Sequence, residues 1–383
     1  MAESTASKTK YPFKADTVGS LLRPDNLKKA YSDFDKGNIN LKDLEKIEDI
    51  ETNHIVKKQT DLGLKAVTNG EFDRETFHLD FVQWLKGFKK VFTGKKYHFN
   101  NATSEQPSLK VVSRIAYNSD HPFFESFKYL KSVAPKGVTS KITIPSPTYL
   151  LFPGAYADAL IGEKDVYPNR KDFFNDLITA YHKSILHFYD LGARYIQLDD
   201  PFWPYLIQSL KTYENDSKKH AWFINLGKQL IYLTKGIIKD LPSDLVTATH
   251  ICRGNFQSSY LYNQKANGYD SIVKYLDQLP FDAFFLEYDS KRAGDFSPLA
   301  KLHKAQPQAV LVLGLVTSKF PKLEDKADLK KKIKEASRYV PLDHLALSPQ
   351  CGFASTEQGN KLSEDQQWNK LKLVVDTAKE IWG

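Results

Sequence analysis

The chain of 383 residues is 41% hydrophobic and carries 54 basic and 46 acidic residues, which gives a formal net charge of +8. This is enough apolar material for a large core, and the lysines are spread along the chain without an arginine-rich block, which argues against nucleic-acid binding. Two cysteines are too few for a secreted disulfide framework, and the longest apolar run is too short to cross a bilayer, so we expect a cytoplasmic protein without membrane contact.

Short apolar segments alternate with longer helical patterns along the chain. Each segment is rich in β-branched or apolar residues and ends in polar residues, glycine or proline, as a buried parallel strand followed by a loop should. Two of the helical patterns end in Asp-Leu-Gly, which suits a helix C-terminus. Eight such strands predict an α/β fold, a closed (β/α)8 TIM barrel. The predicted strands are 15–20, 65–71, 141–147, 194–201, 245–252, 283–289, 309–316 and 345–351.

Two intervals are longer than one helix requires, and they predict insertions after strands 2 and 5. The first, 72–140, is expected to contain a hairpin, and the second includes an aromatic and polar loop over 256–270. No glycine-rich nucleotide-binding motif follows any strand. We expect a disordered polar tail over 1–12 and one catalytic domain over 13–383.

Polar side chains fall at the ends of the predicted strands, where barrel enzymes carry their chemistry. His250 and Cys252 are two residues apart, so on a strand both side chains face the same side. An imidazole beside a thiol favours zinc, and Glu287 and Cys351 at two further strand ends complete a tetrahedral ligand set. A His-x-Cys pair alone is more often a packed pair, but ligand types at three strand ends favour a metal site.

Six motifs at successive strand ends resemble the cobalamin-independent methionine synthase family. The resemblance is to the C-terminal catalytic barrel, in the shorter single-barrel branch, and it covers nearly the whole chain from about residue 13. The motifs are TVGSLLRP (17–24), TNGEF (68–72), IQLDDP (196–201), HICRGN (250–255), FLEYD (285–289) and SPQCGF (348–353).

The resemblance implies a set of ligand and substrate residues. His250, Cys252, Glu287 and Cys351 would bind Zn2+. Ser20, with the backbone beside Val18, would hold the carboxylate of homocysteine, and Glu71 and Asp199 would pair with its ammonium group. Such a zwitterion needs hydrogen-bond donors at one end and carboxylates at the other.

The same resemblance implies transfer of a methyl group to the thiol of homocysteine, forming methionine, with a 5-methyltetrahydrofolate as donor. The departing amine needs a proton, for which we consider Lys319, Asp200 and His78. Many family members have a histidine after strand 7, and Lys319 stands in its place here. No tryptophan matches the one that stacks on folate, although Phe77 and Trp84 could line a pocket for a planar donor.

Three alternatives remain open at this point. A zinc-dependent thiol methyltransferase could use a corrinoid or another methylated small molecule. A barrel of the porphyrinogen decarboxylase type would share the fold without zinc, and a non-enzymatic protein could bind zinc without reacting. The sequence leaves the oligomeric state and any need for an accessory protein undecided.

Overall fold

In a computed structural model, the described residues are 9–92, 94, 96–98, 103–105, 107–151, 166–260 and 268–383. Seven parallel strands form one sheet in the order β1-β6-β7-β8-β9-β10-β11, and four other strands form two antiparallel pairs, β2 with β5 and β3 with β4. The strands are β1 (Ala66–Val67), β2 (Lys86–Val91), β3 (Lys96–His98), β4 (Thr103–Glu105), β5 (Ser108–Ala116), β6 (Thr139–Pro145), β7 (Tyr195–Asp200), β8 (Val246–Ile251), β9 (Ala283–Glu287), β10 (Val310–Val316) and β11 (Leu345–Pro349).

Helices follow most strands of the main sheet. The helix α2 (Leu41–Leu62) is capped by Asn40 and stops before Gly63, whose φ of 101° only glycine adopts readily, so the predicted glycine stop is confirmed there. The described helices are α1 (Asp25–Asp35), α2 (Leu41–Leu62), α3 (Leu79–Val82), α4 (Pro122–Val133), α5 (Arg170–Asp190), α6 (Phe202–Thr212), α7 (Ser217–Ile238), α8 (Val273–Leu276), α9 (Ser297–Ala305), α10 (Lys326–Ala336) and α11 (Glu364–Trp382).

The first predicted strand, 15–20, is not a regular strand. It makes a single parallel bridge from Ala15 to Leu347. On that side the Asp16 amide donates to the Leu347 carbonyl, and on the other side the Leu21 amide donates to the carbonyl of Gly70. Segment 14–21 therefore contacts both edges of the curled seven-stranded sheet, next to β11 and next to the end of β1. The arrangement is α/β and consistent with the predicted barrel.

The interval 72–140 contains the antiparallel pairs β2–β5 and β3–β4. The loop expected over 256–270 lies partly outside the described residues, as do residues 1–8 of the expected tail. Tyr11, placed in that tail, is buried and donates a hydrogen bond to Asp16 at 2.8 Å, so ordered chain begins before residue 13. Among the helices described, none combines the length and apolarity that a bilayer crossing requires.

The interior of the curled sheet holds aromatic side chains and one buried ion pair. Tyr11, Tyr195 and Phe285 pack there with small apolar residues. Lys141 lies among them, fully buried, 3.4 Å from Asp16 and over the ring of Phe285 at 4.4 Å. A larger apolar cluster fills the layer between the sheet and the helices. The polar ends of the strands are thus held on a packed scaffold.

Candidate metal centre and substrate pocket

The structure brings together four side chains that the sequence separates by up to 101 positions. His250 is the penultimate residue of β8, and Cys252 comes directly after that strand. Glu287 ends β9, and Cys351 lies two residues beyond the end of β11. One ligand atom from each lies within 4.8 Å of those of the other three, and all four residues are buried. The two Sγ atoms are 3.8 Å apart. Because parallel strands end at one rim, these residues converge there.

The donor set fits a borderline-soft divalent cation. Two thiols, an imidazole and a carboxylate are the ligands that tetrahedral zinc prefers. The backbone N–H of Arg253 donates to Oε1 of Glu287 at 2.7 Å, whereas Oε2 of the same buried carboxylate has no hydrogen-bond partner among the described residues. A buried carboxylate oxygen left without a donor is costly unless something positive completes it.

The proton equilibria of the cluster follow from burial and close contact. The hydrogen bond between the two free thiols raises the pKa of Cys252 and lowers that of Cys351, so Cys252 keeps its proton and Cys351 is the readier thiolate. Burial lowers the pKa of His250, but the hydrogen bond to Asp199 and the nearby negative charges outweigh it and raise this pKa to about 9. Burial raises the pKa of Glu287, while the Lys319 charge opposes that shift. A cation must therefore displace protons to bind here.

Asp199 holds the imidazole in place, a role that its predicted pairing with an ammonium group did not include. Its Oδ1 lies 3.0 Å from Nδ1 of His250 and accepts a hydrogen bond from Gln197 at 2.7 Å. The other ring nitrogen, Nε2, lies 3.1 Å from the carbonyl of Gln350 and 3.8 Å from Glu287. A carboxylate on the distal ring nitrogen is the usual outer partner of a metal-binding histidine. Asp199 on β7 and His250 on β8 are register partners on neighbouring strands. Both residues belong to strand-end motifs, so their proximity is a contact that the sequence pattern could have indicated.

A small cavity opens beside the cluster, and all four predicted substrate residues line it: Val18, Ser20, Glu71 and Asp199. Glu71 is buried with a φ of 59°, a conformation uncommon outside glycine that is often kept at functional sites. Thr143 donates to its Oε1 at 2.7 Å, and Arg74 lies 3.5 Å away. Burial raises the pKa of Glu71, Arg74 lowers it, and the charge of Asp199 raises it again. Two carboxylates that repel each other across a cavity favour a cationic group between them.

Ser20 reaches the cavity because Gly352 leaves room for it. A Cβ at Gly352 would lie only 2.0 Å from Oγ of Ser20, so no other residue fits without moving the serine. The Ala354 amide donates to the same Oγ at 3.3 Å. The loop after β11, which carries Cys351, is thus fitted against segment 14–21. The metal ligands and the substrate residues share one wall.

The three residues considered for proton transfer lie apart from this cavity, whose described lining includes none of them. Lys319 is buried, with Nζ 3.9 Å from Oδ2 of Asp289. Asp200 accepts hydrogen bonds from Thr148 at 2.7 Å and from the Phe202 amide at 3.1 Å. Burial raises the pKa of Asp200 to about 6 and lowers that of His78 to about 3.

The two aromatic residues expected to line a pocket for the methyl donor, Phe77 and Trp84, lie in different places. Phe77 lines the cavity beside the cluster. Trp84 is half exposed and lines a different surface groove with Pro122 and Phe123. Trp84 is therefore not a wall of this cavity.

Comparisons with known proteins place the chain in a family. Residues 13–380 match the family model for the catalytic domain of cobalamin-independent synthase. The uncharacterized protein YxjG of Bacillus subtilis (strain 168) is 43% identical, over 99% of this chain and 97% of that protein. The methionine synthase of Saccharolobus solfataricus is 25% identical, over 97% and 96%.

A solved structure from Listeria monocytogenes, a candidate vitamin-B12-independent methionine synthase, superposes with a TM-score of 0.74. It is 36% identical, over 97% of this chain and 98% of that one. The family resemblance of the six strand-end motifs is confirmed. The chain therefore belongs to the cobalamin-independent synthase family and spans its catalytic domain.

Proposed function

We propose that this protein is a zinc-dependent methyltransferase that moves a methyl group to the thiol of homocysteine and forms methionine, with a 5-methyltetrahydrofolate as donor. The observation that carries the proposal is the set of four ligand atoms within 4.8 Å of one another. The cavity beside them is lined by Ser20, Glu71 and Asp199. An enzyme that activates the thiol of an amino acid requires a metal centre next to a pocket for the charged amino acid part, and this site combines the two.

Zn2+ held by His250, Cys252, Glu287 and Cys351 would keep a bound thiol as the nucleophilic thiolate at neutral pH. The chain's own part begins with the ligands, of which two thiolates and a carboxylate carry three negative charges. Asp199 fixes the ring of His250 through Nδ1 and leaves Nε2 for the cation. The packed strand ends hold these groups in place, so orientation adds to the rate.

Homocysteine would be held at both ends of its amino acid part. Its ammonium group would lie between Glu71 and Asp199, which repel each other without a cation between them. Its carboxylate would accept hydrogen bonds from Ser20 and from the backbone beside Val18. These contacts direct the side-chain sulfur toward Cys252 and Cys351, which line the same cavity.

Proton delivery to the departing amine stays a prediction for Lys319, Asp200 and His78. Of the three, Asp200 has the pKa best suited to give up a proton near neutrality, about 6. His78, with a pKa near 3, stays neutral. A corrinoid or another methylated small molecule as donor is an alternative, and so is a zinc-binding protein without catalysis. We propose a cytoplasmic location, where the two thiols stay reduced.

The test combines metal analysis with a methionine-formation assay. Wild-type protein and the Cys351→Ser variant are analysed for bound zinc and incubated with homocysteine and a 5-methyltetrahydrofolate. We expect one zinc per chain and tetrahydrofolate release from wild type, and loss of both from the variant. Ser337→Ala, at the half-buried C-cap of α10, is the control and should keep both. Full activity of metal-free protein would refute the zinc mechanism, and zinc without turnover on any donor would favour the non-enzymatic alternative.

A further inference from the structure

Lys319 carries a buried charge that no hydrogen bond in the described part of the chain satisfies. The residue is 2% exposed, and its Nζ has no hydrogen-bond partner among the described residues. Its Nζ lies 3.9 Å from Oδ2 of Asp289, and Asp289 is two residues from the ligand Glu287. An isolated buried ammonium is costly, so surrounding negative charge must compensate it.

The backbone that carries Lys319 is tied to the loop that carries Cys351. The Ser318 amide donates to Oε1 of Gln350 at 2.9 Å, and Asn360 donates to the Ser318 carbonyl at 2.8 Å. Gln350 precedes Cys351, and its own carbonyl lies 3.1 Å from Nε2 of His250. The ammonium is therefore held at a fixed place relative to the ligands, which a solvated loop lysine would not be.

The charges around the centre require a cation of this kind. With zinc bound, Cys252, Glu287 and Cys351 leave one net negative charge, and a substrate thiolate makes it two. Asp289 adds a further negative charge nearby. Because the site is buried, this charge is poorly screened, and binding of another anion would be opposed. The charge of Lys319 acts on both Glu287 and Cys351, so it is close enough to offset that repulsion.

We propose that Lys319 is a positioning residue whose fixed positive charge allows the centre to accept a thiolate, and that it selects thiol over thioether ligands. The inference rests on the proposed function. Lys319 does not line the described cavity, so its effect on the binding of a thiolate there acts through its electric field. Methionine presents a thioether without charge, so its binding would gain nothing from Lys319. The residue would thereby favour substrate binding and product release.

The test measures ligand binding without turnover. Protein loaded with Co2+ in place of zinc is titrated with homocysteine, and binding is followed by the increase in thiolate-to-cobalt charge-transfer absorption above that of the two cysteine ligands. Methionine binding is followed by calorimetry. For Lys319→Met we expect about tenfold weaker homocysteine binding and unchanged methionine binding. Lys319→Arg keeps the charge and should restore homocysteine binding. Lys322→Met, which removes an exposed lysine three residues away, should behave as wild type.

The outcomes separate this inference from the proposed function. If homocysteine adds no thiolate-to-cobalt absorption beyond that of Cys252 and Cys351 in wild-type protein, the proposed function fails at its first step. If wild type binds and Lys319→Met binds equally well, the charge role is refuted and the function stands. Equal weakening of homocysteine and methionine, or loss of the metal from Lys319→Met, would also overturn the inference, because either result means a general disturbance of the centre.

Discussion

Replacing Asp199 by asparagine isolates the contribution of the carboxylate that holds His250. The substitution keeps the shape of the side chain and leaves an oxygen that can accept from Nδ1 of His250 and from Gln197, at present 3.0 and 2.7 Å away. It removes the negative charge. A charge-assisted hydrogen bond contributes about 1–2 kcal/mol more than a neutral one, which corresponds to a loss of roughly 5–30-fold in zinc affinity.

The loss should depend on pH in a way that the structure specifies. Asp199 also helps to raise the pKa of His250 to about 9, so at lower pH a proton competes with the metal for the ring. Removing the charge of Asp199 weakens the binding of the proton and the binding of the metal to His250 together, and the two effects partly cancel. We therefore expect a small difference in zinc affinity between wild type and Asp199→Asn at pH 7. Above pH 9 the full difference should appear.

The assay is competition with a chelating dye at pH 7 and pH 9.5, in the absence of homocysteine so that ammonium binding plays no part. Asp200→Asn is the matched control. The Oδ1 of Asp200 bonds to Thr148 and to the Phe202 amide, away from His250. Equal zinc affinity of wild type and Asp199→Asn at pH 9.5 would refute the reasoning, and so would an equal loss in Asp200→Asn.

Three further predictions concern the substrate pocket and the fold. Glu71→Gln should raise the homocysteine KM about tenfold or more and leave zinc content unchanged, since the ammonium loses one carboxylate; an unaltered KM in steady-state assays would count against this role. Gly352→Ala should displace Ser20, whose Oγ lies 2.0 Å from the added Cβ, and weaken homocysteine binding in calorimetry with zinc retained; wild-type affinity would contradict it. Burial and neighbouring carboxylates raise the pKa of Glu48 to about 7, so its ionisation destabilises the fold as pH rises through that value. Glu48→Gln should therefore increase the free energy of unfolding by about 1–2 kcal/mol at pH 8 and by little at pH 4.5 in urea titrations, whereas the same gain at both pH values would exclude this cause.

The strands of the sheet interior were the most predictable part of the fold. The predicted strand 309–316 and the observed β10 (Val310–Val316) differ by one residue, because a continuous apolar run buried on both faces has little other interpretation. The prediction of a strand over 15–20 was wrong, because this segment contacts Leu347 and Gly70 through separate hydrogen bonds and not through a continuous ladder. Local sequence does not distinguish the two cases.

The convergence of the four ligand residues could be predicted, since polar residues after parallel strands meet at one rim. The supporting contacts could not. Lys141 would be assigned to the surface by composition, yet it is fully buried beside Asp16, 125 positions away. Lys319 could be placed after a strand but not facing Asp289, because that depends on how two loops fold over each other. Sequence patterns specify the elements, whereas pairing between loops depends on the assembled structure.

Segment 14–21 joins the two sheet edges by only a few hydrogen bonds among the described residues. Because these bonds are few, we expect the ring of strands to open here first. Ser20 lies within this segment, and Glu71 follows Gly70, the residue at the sheet edge that accepts the hydrogen bond of Leu21. An amino acid held by both would brace the ring across its thinnest point. We expect the amides of Asp16 and Leu21 to exchange hydrogen more slowly once homocysteine is bound, so that ligand entry and closure of the ring become one event.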